Sequence, residues 1–296
     1  MPVSGFAWGV LPQALVSGVL IGGVYGLMAL GLTMIFGVLR IINFAHGTFV
    51  MLGMYLAFWA FQLGRVDPYL SLVLALPCFL ALGAAVHLAC IRPVLAGPHH
   101  APLLVTLAVA LILENAVLLA WGPDYRTIRV GYSIATVTVG GVVLSLPRLA
   151  AFAAATAAAG GLWLLLQKTD LGRTIRATAQ DREAAALMGI EVDRVYGLAF
   201  GIGTACAAVA GIVTTPFFHV SPDIGNVFVI LAFVIVVLGG LGSFPGALVG
   251  GMVVGVVESL GAVFLPGSLK ELLIYAVFLL ALAVRPEGLL TARRAA

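Results

Sequence analysis

The sequence predicts an all-α polytopic membrane protein of about eight to ten transmembrane helices, and three observations carry that expectation. Hydrophobic residues make up 62% of the 296 and charged residues only 9%, where a soluble domain is about a quarter charged. The mean hydropathy is +1.17. Long stretches such as Leu11–Leu39 and Leu149–Leu166 carry no Lys, Arg, Asp or Glu, and each approaches the ~20 residues that cross a bilayer.

Taken in order, apolar windows fall near 11–39, 46–63, 69–90, 102–121, 148–166, 196–216, 226–240, 244–264 and 270–284. The first lacks a basic flank, since Arg40 is the first positive charge, so it reads as a retained span and not a secretory signal. Positive loops stay in the cytoplasm. Placing loop 167–195 inside puts ten basic residues inside, namely Arg40, Arg92, Lys168, Arg173, Arg176, Arg182, Arg194, Arg285, Arg293 and Arg294, against five outside. The N-terminus is therefore expected outside and the C-terminus inside. The outside segment 122–147 alternates β-branched and small residues around Gly140-Gly141, which suits a short extended or hairpin structure. It is open whether that segment docks a partner or merely connects two spans. The chain reads as one transmembrane domain over 1–296.

Net charge is +3, too small and dispersed to point to nucleic acid. Cys78, Cys90 and Cys206 sit within apolar stretches, where thiols behave as small hydrophobes. Rows of small residues recur at Gly18, Gly22 and Gly26, at Gly197 and Gly201, and at Gly246, Gly250, Gly251 and Gly255. Such rows let helices approach closely in lipid, within one chain or between two chains.

Three interruptions of the apolar pattern carry the functional argument. In the basic loop, Thr178 followed by Asp181 resembles a capping box, Ala and Leu favour helix, and Gly189 suits a C-terminal cap. A short helix over 179–188 is expected, with Ala184, Leu187 and Met188 on one face as an apolar knob between charged residues. Such a knob suits the groove of a cytoplasmic partner, or a helix lying flat on lipid headgroups.

Asn43, His46 and Gly47 break a second stretch, and a helix broken at membrane depth must face protein or a water-filled cavity. His46 either lines a pathway or caps a helix end. The third, Gly239, Gly240, Gly242, Ser243, Pro245 and Gly246, predicts a tight turn or a re-entrant bend.

Glu114, followed by Asn115, and Glu258 are carboxylates near the middle of spans, where an ionisable group is a functional candidate by default. Each could be a proton or cation site or a hydrogen-bonding group between helices; the second role is expected of Glu258, and both stay open for Glu114. His87 and His219 read as structural histidines near span ends, and His99-His100 lies in an inside loop. No P-loop, His-Glu-x-x-His, Cys-x-x-Cys or Gly-x-Ser-x-Gly occurs, so ATPase, zinc-protease and serine-hydrolase chemistry have no support.

Glu183-Ala184-Ala185, three residues, then Gly189 is similar to the loop by which ABC importer permeases enter a cleft of their ATPase. Ile42-Asn43-Phe44-Ala45-His46-Gly47, Thr169-Asp170-Leu171-Gly172-Arg173 with Met188-Gly189-Ile190, and Leu238-Gly239-Gly240-Leu241-Gly242-Ser243-Phe244-Pro245-Gly246-Ala247 resemble motifs of the branched-chain amino acid permease family. They occur in order over nearly the whole chain and look most like its H-type subunit.

The resemblance implies a multi-pass permease of the bacterial inner membrane that imports branched-chain or other hydrophobic amino acids. Its partners would be a second permease (an M-type subunit or a second copy), two cytoplasmic ATP-binding subunits and a periplasmic solute-binding protein. The chain itself would bind no cofactor or metal and catalyse nothing, with ATP and magnesium held by the ATPases. The broken helix and the intramembrane carboxylate place the expected solute pathway at Asn43, His46, Gly47, Glu114 and Asn115, and Glu114 departs from the family, whose members often carry an amide there. ATPase coupling would fall to Arg176, Asp181, Glu183, Ala184, Ala185, Leu187, Met188 and Gly189. A relative carrying urea or short amides, and a self-contained ion-coupled transporter using Glu114 and Glu258, are the alternatives.

Overall fold

A computed structural model describes residues 6–98, 100–266, 269–285 and 287–290. His99, Arg293 and Arg294, counted above, lie outside the described residues. The helices are α1 (Phe6–Leu39), α2 (His46–Gly64), α3 (Ser71–Val86), α4 (Ala101–Trp121), α5 (Leu146–Lys168), α6 (Asp170–Gln180), α7 (Arg182–Leu187), α8 (Val192–Thr214), α9 (Ile224–Gly239), α10 (Phe244–Phe264) and α11 (Leu269–Val284). A π-turn at His87–Ile91 and a 3-10 turn at Arg92–Val94 extend α3.

Among the described residues, seven helices are long and apolar enough to cross a membrane. α9 and α11 have 16 residues each, about 24 Å at 1.5 Å per residue, short of the ~30 Å hydrocarbon layer. The molecule is thus an all-α multi-pass membrane protein.

α1 and α8 form the centre. On α8 every residue from Ala199 to Thr214 is buried, which explains why it is apolar all round rather than along one stripe. Glycines set the helix spacing. A Cβ on Gly22 would lie 2.7 Å from the Met252 Cα, and one on Gly255 would lie 2.4 Å from the Gly18 carbonyl. The glycine rows of α1 and α10 therefore face each other within one chain, and that contact accounts for them without a second permease. Gly201 likewise seats α8 against the Leu80 carbonyl of α3.

Segment 122–147 contains the expected hairpin. β1 (Thr136–Val139) pairs antiparallel with β2 (Val142–Ser145), Thr136 opposite Ser145. Gly140 and Gly141 have φ of 58° and 84°, the left-handed pair that a two-residue turn demands. The hairpin is fastened to the helix ends. Gln13 of α1 donates to the Val143 carbonyl and accepts from its N–H, substituting for a third strand. Tyr132 donates to Asp67 at 2.7 Å, and burial, then this bond, hold its phenol above the usual tyrosine range.

α5 turns sharply into α6 because Gly172 packs against the Leu165 and Leu166 carbonyls, where any side chain would collide. Thr169 caps α6 by accepting from the Gly172 N–H at 3.0 Å. Arg92, at the end of the α3 extension, pairs with Asp193 at the start of α8 at 2.8 Å. The basic loops 92–100 and 167–195 therefore meet at one end of the bundle.

Candidate functional site: the broken helices and the exposed knob

The expected helix over 179–188 is two elements. α6 runs through Thr178 and stops at Gln180, and α7 begins after Asp181. Thr178 caps nothing: its hydroxyl donates back to the Thr174 carbonyl at 2.9 Å inside α6. Asp181 is the cap. Its extended backbone leaves the helix, and Oδ1 accepts from the Glu183 and Ala184 N–H groups at 2.9 and 3.1 Å. A short acceptor side chain that bonds its own downstream amides competes with helix continuation, which is why one helix became two.

At the other end Gly189, at φ 84°, closes α7. The Ile190 N–H reaches the Ala185 carbonyl and the Gly189 N–H the Ala186 carbonyl, at 3.1 and 3.0 Å, the paired bonds of a Schellman stop. Ala185 is buried, whereas Ala184, Leu187 and Met188 are exposed, the last two at 88% and 83%. The knob is thus a rigid two-capped turn displaying two large apolar side chains. Arg176 stands exposed on α6, one turn before the break, and Glu183 is exposed at the start of α7.

The break at 40–45 has a geometry that the sequence does not show. α1 ends at Leu39, with Arg40 in the left-handed conformation at φ 56°. Yet Nε2 of His46, the first residue of α2, donates to the Met28 carbonyl at 2.9 Å. Leu39 and Met28 are eleven residues apart on α1, about 16 Å, so residues 40–45 run back along α1 and α2 starts deep in the bundle. Asn43 is fully buried, its Oδ1 accepting from the Ala45 N–H at 3.1 Å. Asn43 Nδ2 and His46 Nδ1 are buried without partners. His46 therefore sits at depth inside protein and is no interfacial cap.

Gly47 is compulsory here. A Cβ would lie 2.0 Å from the Gly225 carbonyl of α9, so two helix starts touch backbone to backbone. Thr106 of α4, which the sequence reading missed, satisfies the broken segment: its hydroxyl accepts from the Phe44 N–H and contacts the Ile42 carbonyl, each at 3.2 Å. One threonine in an apolar helix leaves no signal in composition or spacing.

Glu114 is half-buried and accepts from Asn226 Nδ2 of α9 at 3.2 and 3.3 Å. Asn115 is exposed and donates back to the Leu111 carbonyl at 2.8 Å. Asn226, at the start of α9, is the second residue that the sequence reading missed. Asn43, His46 and Gly47 thus lie in the packed interior, with Glu114 and Asn115 on the surface of α4. Glu258 forms an ion pair with Lys270 of α11 at 3.1 Å, the inter-helix bond expected of it. His87 is buried against Tyr196 and Phe200.

The glycine-rich segment is a tight turn between α9 and α10 and no re-entrant loop. Gly240 and Gly242 have φ of 106° and 82°. Cβ atoms on Gly239 and Gly246 would each lie 2.2 Å from the other's carbonyl. Ser243 caps α10, accepting from the Gly246 N–H at 3.2 Å and donating to the Leu290 carbonyl at 2.8 Å. Pro245 occupies the first turn of α10, where its missing donor costs nothing.

Known proteins place this architecture. No solved structure matches the chain. The chain is 34% identical over 291 residues to the high-affinity branched-chain amino acid transport system permease protein BraD of Pseudomonas aeruginosa, covering 94% of this chain and 95% of that one. It is 33% identical over 298 residues to the permease protein LivH of Escherichia coli K12, with 94% of each covered. To a probable branched-chain amino acid permease LivH of Methanocaldococcus jannaschii it is 30% identical over 249 residues, 82% of this chain and 78% of that one. A family model described as branched-chain amino acid transport system / permease component matches residues 14–282, and the chain belongs to that family.

Proposed function

We propose that this chain is the membrane-spanning subunit of an ATP-binding-cassette importer that moves branched-chain amino acids across a bacterial inner membrane. The observation that carries the reading is the knob of α7. Two large apolar side chains on a turn capped by Asp181 and closed by Gly189 gain nothing from water, and rigid apolar anchors of this kind fit a partner's groove. The chain has no P-loop, so the energy for transport comes from two cytoplasmic ATP-binding subunits that hold ATP and magnesium. A second permease completes the membrane part, and a periplasmic binding protein delivers the solute. The chain is then a transport subunit and no enzyme, with its N-terminus outside and its C-terminus inside.

In this reading, closure of the ATPases pushes α7. Its Ala185 is buried and α6 packs on α1, α5 and α8, so the push reaches the central helices as a lever stroke. Arg176 and Glu183 flank the contact as exposed charges that set its orientation.

The test is uptake of radiolabelled leucine, isoleucine, valine and urea by cells lacking the gene, with and without the restored chain. Restoration of branched-chain uptake that a Leu187→Arg variant fails to give, while still reaching the membrane, supports the reading. Restored urea uptake alone, or full activity of Leu187→Arg, overturns it.

A further inference from the structure

One face of α9, carrying Asp223, Asn226, Val227 and Ile230, is exposed. Glu114 meets that face from α4 through the bonds to Asn226. Seven residues separate Glu114 from the end of α4 at Trp121, about 10 Å of helix, so the carboxylate lies within the depth of the hydrocarbon layer. Among the described residues no cation forms an ion pair with it. An amide donor satisfies a lone pair but leaves the charge, and a bare carboxylate facing acyl chains is strongly disfavoured. An ionised carboxylate there needs water or a cation against this face.

Two turns inward along α9, Phe233 meets Phe44 of the broken segment with ring centroids 5.3 Å apart. The two rings line a half-open apolar pocket of about 250 Å³ together with Leu32, Phe36, Ile41, Val237 and Leu241. Polar anchor and apolar pocket thus follow one another along α9. Phe44 rides on non-helical backbone that the Thr106 hydroxyl holds, a segment with less internal support than a helix.

Building on the permease reading above, we propose that Glu114, positioned by Asn226, is the station at which the ammonium group of the transported amino acid rests. An ammonium ion supplies the charge that Asn226 lacks, and the apolar pocket walled by Phe44 and Phe233 suits a branched aliphatic side chain.

The test is thiol accessibility at Ile230, one turn below Asn226, in membranes containing the chain with its transport partners. Cys78, Cys90 and Cys206 are first replaced by alanine, and Ile230→Cys is added. The expected result is reaction with water-soluble methanethiosulfonates, the cationic ethylammonium reagent about tenfold faster than the anionic ethylsulfonate, the factor one nearby charge supplies in a wet site. Leucine slows the reaction, and Glu114→Gln removes both charge preference and protection. A thiol inert to both reagents with and without ATP, no protection by leucine, or a preference that Glu114→Gln leaves unchanged would overturn the station. Failure of the permease reading registers separately, as loss of the leucine uptake that the wild-type chain is expected to restore.

Discussion

Leu187→Ala is the sharpest perturbation of the exposed knob, because the residue touches almost nothing in its own chain. Its side chain is 88% exposed, so nearly all the gain from burying a leucine, about 1.5–3 kcal/mol, is available to a partner. Truncation to alanine keeps one methyl, and the loss should come to about 2 kcal/mol, roughly a 30-fold weaker association with the ATP-binding subunits. The chain's own stability should not fall, since alanine is the best helix former and no packed contact is removed. The measurement is a titration of purified ATP-binding subunits onto the permease assembly in nanodiscs, read by biolayer interferometry, beside thermal unfolding of the same sample. Leu164→Ala, an exposed leucine on the apolar helix α5, is the control and should leave affinity unchanged. A dissociation constant within twofold of wild type, or a melting temperature that falls along with affinity, would refute the claim that Leu187 is a free anchor.

Asp181→Ala removes the acceptor for two amides of α7 and should cost that turn about 1 kcal/mol, seen as faster hydrogen exchange at Glu183 and Ala184 with the membrane helices unchanged. Gly255→Ala drives a methyl into the Gly18 carbonyl and should lower stability by about 1–3 kcal/mol, measured as a drop in detergent melting temperature; an unchanged melt would mean that α1 and α10 separate freely. Thr106→Val strips the hydroxyl that serves Phe44 and Ile42 and should cost about 1–3 kcal/mol, whereas Thr106→Ser should restore most of it. A cysteine at Gly141 in the hairpin should react with an impermeant maleimide added outside intact cells, and one at Glu183 only after permeabilisation; the reverse pattern would invert the proposed orientation.

Much of the fold was legible because lipid imposes so few options. Windows of apolar length mark helices since every backbone group in hydrocarbon must bond internally, and the nine windows match α1 to α5 and α8 to α11 within a few residues. The hairpin at Gly140-Gly141 was readable for the same kind of reason, as two glycines are what a tight turn of that hand requires. The turn from Asp181 to Gly189 was half legible. Its exposed face follows from helical spacing, but the competition between Thr178 and Asp181 for the cap depends on backbone angles that spacing does not encode.

Residue types alone determined the residence in a bilayer, the interruption at 40–47 and the apolar knob, because each is a local conflict between a side chain and its expected solvent. The tertiary structure decided the depth at which α2 begins, the pairing of the α1 glycines with those of α10, and the meeting of Glu114 with Asn226, 112 positions away in sequence. Those are relations between distant segments. They arise only when backbone packing brings α9 beside α2 at Gly47 and Gly225, and no single stretch of sequence records which helix will stand opposite it.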